Sequence, residues 1–217
     1  MASPEALAVV VPYREHMART AEDVSTDLES FSVLLRKWNA VQNLVSRETV
    51  EDLWRRHIAD SLQVLPLLRR ADRFIVDLGS GGGFPALPLA VAFKGSSTRF
   101  LLVEPIAKKA AFLRTVIREL DLNAKVEARR AEQIDSRETG FADVITSRAL
   151  APLKVLCSLA MPFFGPGTRA IFHKGGEHVE ELADSRLVWQ HDVLITKSAT
   201  DDRGVLLELS SLSLKIK

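Results

Sequence analysis

Asp77 ends a short β-forming run, Phe74-Ile75-Val76-Asp77, and opens onto a glycine-rich turn, Gly79-Ser80-Gly81-Gly82-Gly83; Glu104 closes a second such run downstream. Glycines let a ligand approach the backbone closely, and open α/β sheets bind ligands at the carboxyl ends of their strands. Two cofactor classes fit. Gly81-x-Gly83-x-x-Ala86 satisfies the G-x-G-x-x-G/A form, with Glu104 at the distance of a ribose carboxylate, which admits an NAD-linked oxidoreductase. Two residues weigh against it. Pro85 deletes an amide donor at the start of the following helix, where a pyrophosphate would sit, and Asp77 would place negative charge beside the phosphates. S-adenosylmethionine has no phosphate and carries an ammonium and a sulfonium, both attracted by a carboxylate. Its methionine part would lie along Gly79, Ser80, Gly81 and Gly83. Glu104 would accept from the ribose hydroxyls, and the adenine would reach Ala131 and Glu132 beyond the third strand. A glycine turn that is plain structure, with Asp77 as a helix cap, is the remaining reading.

A second polar constellation lies upstream. His57, Asp60 and Ser61 share one helical stripe with Leu53 and Val64, so polar groups stand on a face that otherwise packs, and such groups need partners when buried. Three members on one helix cannot easily form a Ser-His-Asp relay, which is defined by geometry. Metal binding is disfavoured too, because no second His or Cys stands at ligand spacing. A hydrogen-bonded lock between helix and sheet and a direct role at a substrate cleft are both open, as they are for Asn39 and Asn43. Trp38 and Trp54 fall on apolar helical faces and are expected in the core.

The elements that must position these residues follow from periodicity. A short helix interrupted at Pro12 is expected near the start. Thr26-Asp27-Leu28-Glu29 reads as a capping box for a helix to about Ala40, and a second helix is expected from about Thr49 toward Pro66. Residues 1–70 are thus expected to be a helical extension and 71–217 the catalytic domain. From Arg73 short β-rich runs alternate with amphipathic helices: five strands with crossover helices, then two strands, "HDVLITKS" and "GVLLELSSL", joined by the turn "ATDDRG". A mostly parallel sheet ending in an antiparallel pair is the architecture of Rossmann-like class I methyltransferases.

Bulk properties set limits. The 217 residues hold 29 Lys and Arg against 28 Asp and Glu, a net charge of +1, so no polyanion is bound by bulk electrostatics and only local clusters are left to do it. Those are Arg55 with Arg56, Arg69 with Arg70 and Arg73, Lys108 with Lys109, and Arg129 with Arg130. Cys157 is the single cysteine, which excludes an internal disulfide. With no leader pattern or long apolar run, a cytoplasmic protein free of the membrane is expected.

The chain resembles the glucose-inhibited division protein B family, bacterial methyltransferases of guanine N7 in small-subunit ribosomal RNA. The resemblance rests on "KWNAVQNLVS" (37–46), "RHIADSL" (56–62), "DLGSGGGFPALPLA" (77–90), "VEPIAKKAAFLR" (103–114), "RRAEQI" (129–134), "SRALAPL" (147–153) and "HKGG" (173–176). It departs at Ala86, where the family has glycine, and at Pro105, where a small polar residue is usual. It implies cofactor contacts at Gly79, Gly81, Gly83, Phe84, Glu104, Ala131, Glu132 and Arg148, and 16S ribosomal RNA as partner of a monomer. Methylation of N7 needs no base to remove a proton, because its lone pair is free at neutral pH; positioning carries the step. Arginine or lysine can hydrogen-bond O6, which makes Arg148 and Lys174 the candidates for orienting the base, with His57 and Asn43 behind them. Arg55, Arg56, Arg129 and Arg130 are the candidates for RNA phosphates. A methyltransferase of a small molecule or another RNA position and a non-enzymatic binding module are the rival readings.

Overall fold

The computed structural model describes residues 2–215. Its N-terminal part comprises α1 (Pro4–Val10), a 3-10 turn (Val11–His16) carrying Pro12, α2 (Ala21–Asn39), α3 (Arg47–Val50), and a π-helical turn (Trp54–Ala59) that runs into α4 (Asp60–Leu62). The sheet follows, in the order β3-β2-β1-β4-β5-β7-β6. β1 (Phe74–Leu78), β2 (Arg99–Val103), β3 (Ala124–Glu127), β4 (Val144–Arg148) and β5 (Arg169–Lys174) are parallel. β7 (Val205–Leu214) runs antiparallel between β5 and β6 (Trp189–Lys197), which is the expected closing pair. The crossovers are α5 (Ala86–Ala92), α6 (Ala107–Glu119), the short α7 (Ser136–Thr139), α8 (Leu153–Ala160) and α9 (His178–Ser185).

Side chains alternate across the strands and fill two cores. Ile75, Phe100, Leu102, Val144 and Ile171 face α5, α6 and the N-terminal helices, whereas Phe74, Val76, Leu78, Leu101, Ile145 and Phe172 face α8 and α9. The N-terminal helices therefore share their core with the sheet. Phe31 of α2 lies with its ring centroid 5.4 Å from Phe84 and 6.5 Å from Phe112, so α2 rests directly on the glycine-turn segment. The loop after α2 lies equally close: a Cβ on Gly82 would stand 3.2 Å from the Leu44 carbonyl. Trp54 is buried in this core and Trp38 packs on Phe112, 5.7 Å between centroids, as their apolar faces suggested.

Two helices differ from the sequence reading. α2 begins at Ala21 under a Thr20 cap, whose hydroxyl accepts from the Asp23 N–H at 3.2 Å; Thr26 lies inside the helix and donates to the Glu22 carbonyl. The apolar repeat starts earlier than Leu28, at buried Ala21 and Val24, and that repeat outweighs the local capping pattern. The single helix expected from Thr49 toward Pro66 is broken. Ser46 caps α3, and a π turn follows in which Trp54, His57 and Ile58 are buried while Arg55 and Arg56 stay exposed. Ala86 heads α5 without a left-handed backbone, so alanine there carries no conformational cost.

Candidate active site

β1 and β4 are neighbours whose crossover helices, α5 and α8, cover opposite faces, so a crevice opens beyond their carboxyl ends. The glycine turn lines it. Its amides are already engaged: Gly79 and Ser80 donate to the Val103 carbonyl at 2.9 and 3.1 Å, Gly83 to the Ser80 carbonyl at 2.6 Å, and Gly81 to the Glu104 carboxylate at 2.8 Å. The second Glu104 oxygen accepts from the Ile106 N–H at 2.9 Å. A pyrophosphate would find few free donors, while a carboxylate with both oxygens fixed keeps lone pairs for hydroxyl groups. Pro105 has no N–H, so the next amide along, that of Ile106, is the one that reaches Glu104. Gly79 is required by its backbone, whose φ is +69°.

Asp77 is 1% exposed. Its Oδ1 accepts from the Thr146 hydroxyl at 2.7 Å, while Oδ2 has no partner. Burial pushes its pKa up to about 7; the Thr146 hydrogen bond opposes the rise and the Glu104 charge adds to it. An unpartnered buried carboxyl oxygen beside a glycine cradle suits a cationic ligand, so the residues present fit S-adenosylmethionine.

Across the crevice stands Arg148. Its Nε pairs with Asp60 Oδ2 at 2.8 Å, Nη1 donates to His57 Nδ1 at 3.0 Å, and Nη2 donates to the Arg56 carbonyl at 2.7 Å. Asp60 is the hub that sequence reasoning left open. Its Oδ1 accepts from Gln63 and from the Thr200 hydroxyl, both at 2.6 Å, and its carbonyl accepts from His173 Nε2 at 2.9 Å. Gln63 also accepts from the Ala199 N–H at 2.9 Å, so the β6–β7 turn is tied to the π turn and α4. Ser61 donates back to the His57 carbonyl and takes no part beyond its own helix. Burial, then the Arg148 charge, lowers the pKa of His57 to about 4.

Three clefts meet at Arg148. One of about 220 Å³ is lined by the glycine turn, Phe84, His57, Leu44 and Lys109. A second, of about 520 Å³, lies between Thr49, Arg55 and Arg56 on one wall and Thr200 to Arg203 on the other. The third, of about 250 Å³, adjoins His173 and Lys174.

Among the expected orienting residues, Arg148 and Lys174 reach these clefts with their charges already paired. Lys174 is bound to Glu181 and to the Ala151 carbonyl at 3.0 Å. His57 is drawn into the donor cleft, and Asn43 is exposed on the neighbouring loop. That loop is organised by Asn39, whose Oδ1 accepts from the Leu44 and Val45 amides. Ala131 is buried and Glu132 exposed in a 3-10 turn just past β3. Of the basic pairs, Arg55 and Arg56 are exposed at the larger cleft, and Arg130 is exposed near Glu132. Arg129 is bridged to Glu127 and Glu138, and Arg69 and Arg73 lie at the opposite end of β1 from the glycine turn. Thr146, Lys109 and the β6–β7 turn carried no signal at the sequence level beyond a basic pair and a hairpin, because their roles come from strand register and long-range packing.

Residues 25–204 match the family model described as rRNA small subunit methyltransferase G. A protein of Cereibacter sphaeroides named ribosomal RNA small subunit methyltransferase G is 42% identical over 89% of this chain and 93% of its own length. A Brucella ovis protein of the same name is 39% identical over 97% and 96%. In fold the chain is similar to an O-methyltransferase from Bacillus cereus solved with S-adenosylhomocysteine, with a TM-score of 0.54 and 20% identity over 83% of this chain and 90% of that one.

Proposed function

From a chain that belongs to the rRNA small subunit methyltransferase G family, we infer an enzyme that methylates N7 of a guanine in 16S ribosomal RNA. It is an S-adenosylmethionine-dependent methyltransferase of the small-subunit RNA. The observation that carries the cofactor side is Asp77, whose buried Oδ2 lacks a partner beside a turn with four of its amides, Gly79, Ser80, Gly81 and Gly83, already hydrogen-bonded within the protein. When bound, S-adenosylmethionine would supply an electrophilic methyl group, held by Asp77, Glu104 and the Gly79–Gly83 turn. No proton leaves, so the chain's residues bind, orient and exclude water. Glu104 holds the ribose, Asp77 answers the cationic part, and Gly79, Gly81 and Gly83 leave room for the methionine chain. Exposed Arg55 and Arg56 at the larger cleft favour phosphate. The proposal is of a monomer acting in the cytoplasm, where its RNA is made.

The test is transfer from radiolabelled cofactor to small-subunit particles and to deproteinised RNA, with the label mapped. One N7-methylguanine is expected; label elsewhere, or none, would favour a different acceptor. An NAD-linked enzyme would instead be stabilised by the nicotinamide cofactor, which melting temperature reads directly.

Asp77 also makes cofactor affinity depend on pH. Its raised pKa means that between about pH 4 and 7 the folded chain holds a proton that the unfolded chain has released, so this group lowers stability as pH rises through that window. A cationic ligand favours the ionised carboxylate and expels that proton. Affinity for S-adenosylmethionine is therefore expected to rise roughly tenfold or more from pH 5.5 to 7.5 and then level. Calorimetry on wild type and Asp77→Asn checks it, the variant being weaker and flat across the same range.

A further inference from the structure

His57 has one ring nitrogen more than the fold uses. Arg148 can only donate, so Nδ1 of His57 must accept its Nη1 bond, and the proton of the neutral ring sits on Nε2. That N–H is buried and finds no acceptor among the described residues. The ring itself is 7% exposed, lies 4.9 Å from Phe84, and borders the cleft shared by the glycine turn and Arg148. It is carried by a π-helical turn, a local departure that concentrates at functional sites. A buried donor without a partner is destabilising, so its placement at this cleft calls for an acceptor brought by a ligand.

We propose that Nε2–H of His57 hydrogen-bonds O6 of the target guanine and so sets N7 toward the methyl donor. The inference rests on guanine as the acceptor base and adds the group that orients it. Two acceptors can enter this cleft, the O6 carbonyl and the carboxylate of the cofactor. A carboxylate is better met by Lys109, which lines the same cleft and has no ion-pair partner among the described residues. The neutral carbonyl is left to the neutral donor. The charge balance suits the chemistry as well. Methylation makes the base cationic, and a cationic donor on O6 would oppose that charge. Here the guanidinium nearest the base is paired with Asp60, and His57 stays neutral.

Three variables separate this role from packing. His57→Phe keeps a ring against Phe84 but removes both the Nε2 donor and the Nδ1 acceptor of Arg148; His57→Gln keeps a donor and an acceptor, and the substrate analogue below isolates the bond to O6. Single-turnover methyl transfer is expected to fall roughly 10–100-fold in His57→Phe, to recover in part in His57→Gln, and to leave the Kd for S-adenosylmethionine within about twofold of wild type. Placing 2-aminopurine, which lacks O6, at the mapped guanine is expected to slow wild type by a similar factor and to slow His57→Phe no further. Losses that add in the combined experiment, or cofactor affinity that falls in step with the rate, would overturn the assignment. Failure of the wild-type protein to methylate guanine at all would appear before any variant is compared and would strike the underlying functional reading.

Discussion

Glu104→Gln is expected to weaken S-adenosylmethionine binding by two orders of magnitude or more, although it exchanges one atom. Both carboxylate oxygens of Glu104 accept backbone amides, Gly81 at 2.8 Å and Ile106 at 2.9 Å. An amide side chain has one acceptor, so its NH2 must face a backbone N–H, donor against donor. The glycine turn and the start of α6 are thereby pushed apart at the point where the proposal places the ribose. Hydrogen bonds to a charged group contribute about 1.5–3 kcal/mol each, and losing one acceptor bond while weakening the other and disturbing the turn amounts to roughly a hundredfold or more in Kd. Calorimetry gives the affinity directly. Because Glu104 is 4% exposed, a modest fall in melting temperature is expected with it, and Glu104→Asp, too short to reach both amides, should behave like the glutamine variant rather than like wild type.

Arg148→Ala is expected to abolish methyl transfer within the range of an ordinary assay, a loss of roughly 10³-fold or more, and to destabilise the fold by about 3–5 kcal/mol. The guanidinium joins Asp60, His57 and the Arg56 carbonyl, so its removal leaves a largely buried carboxylate without its cation and releases the His57 ring. For a chain of this length the melting temperature should drop by roughly 10 °C. Arg148→Lys is expected to rescue little, since one ammonium cannot span three acceptors set in a plane. The cause can be isolated in a double variant: Asp60→Asn combined with Arg148→Ala removes the stranded charge and should recover part of the stability without restoring activity. Equal stability of the single and double variants would show that the ion pair is not what binds the π turn to β4.

The sheet was legible because buried parallel strands must be apolar along their whole length, and β1, β2, β4 and β5 interrupt the amphipathic helices as short hydrophobic runs. Asp77 and Glu104 stood out for the same reason, each being a carboxylate at the end of such a run, next to glycine or helix start. The N-terminal helices were legible as helices but not in their boundaries: the capping pattern at Thr26 competed with an apolar repeat that begins at Ala21, and burial of the longer face prevails. The network around Asp60 was not legible. Beyond Gln63, three residues along the same helix, its partners are Arg148, His173 and Thr200, joined to it by no local spacing, whereas the stripe itself was legible: Leu53, His57, Ser61 and Val64 are all buried. Arg148 shows the difference most sharply: strand-end position located it, but only the fold reveals that its charge is already answered by Asp60.

The tie between Asp60 and Thr200 also sets an order in time. A ribosome making this chain writes Asp77 through Arg148 some fifty residues before it reaches Ser198 to Arg203, the far wall of the larger cleft. The wall facing Arg55 and Arg56 therefore forms only once β7 has paired with β5 and folded this distant turn back onto α4, so the larger cleft takes shape after the cleft lined by the glycine turn.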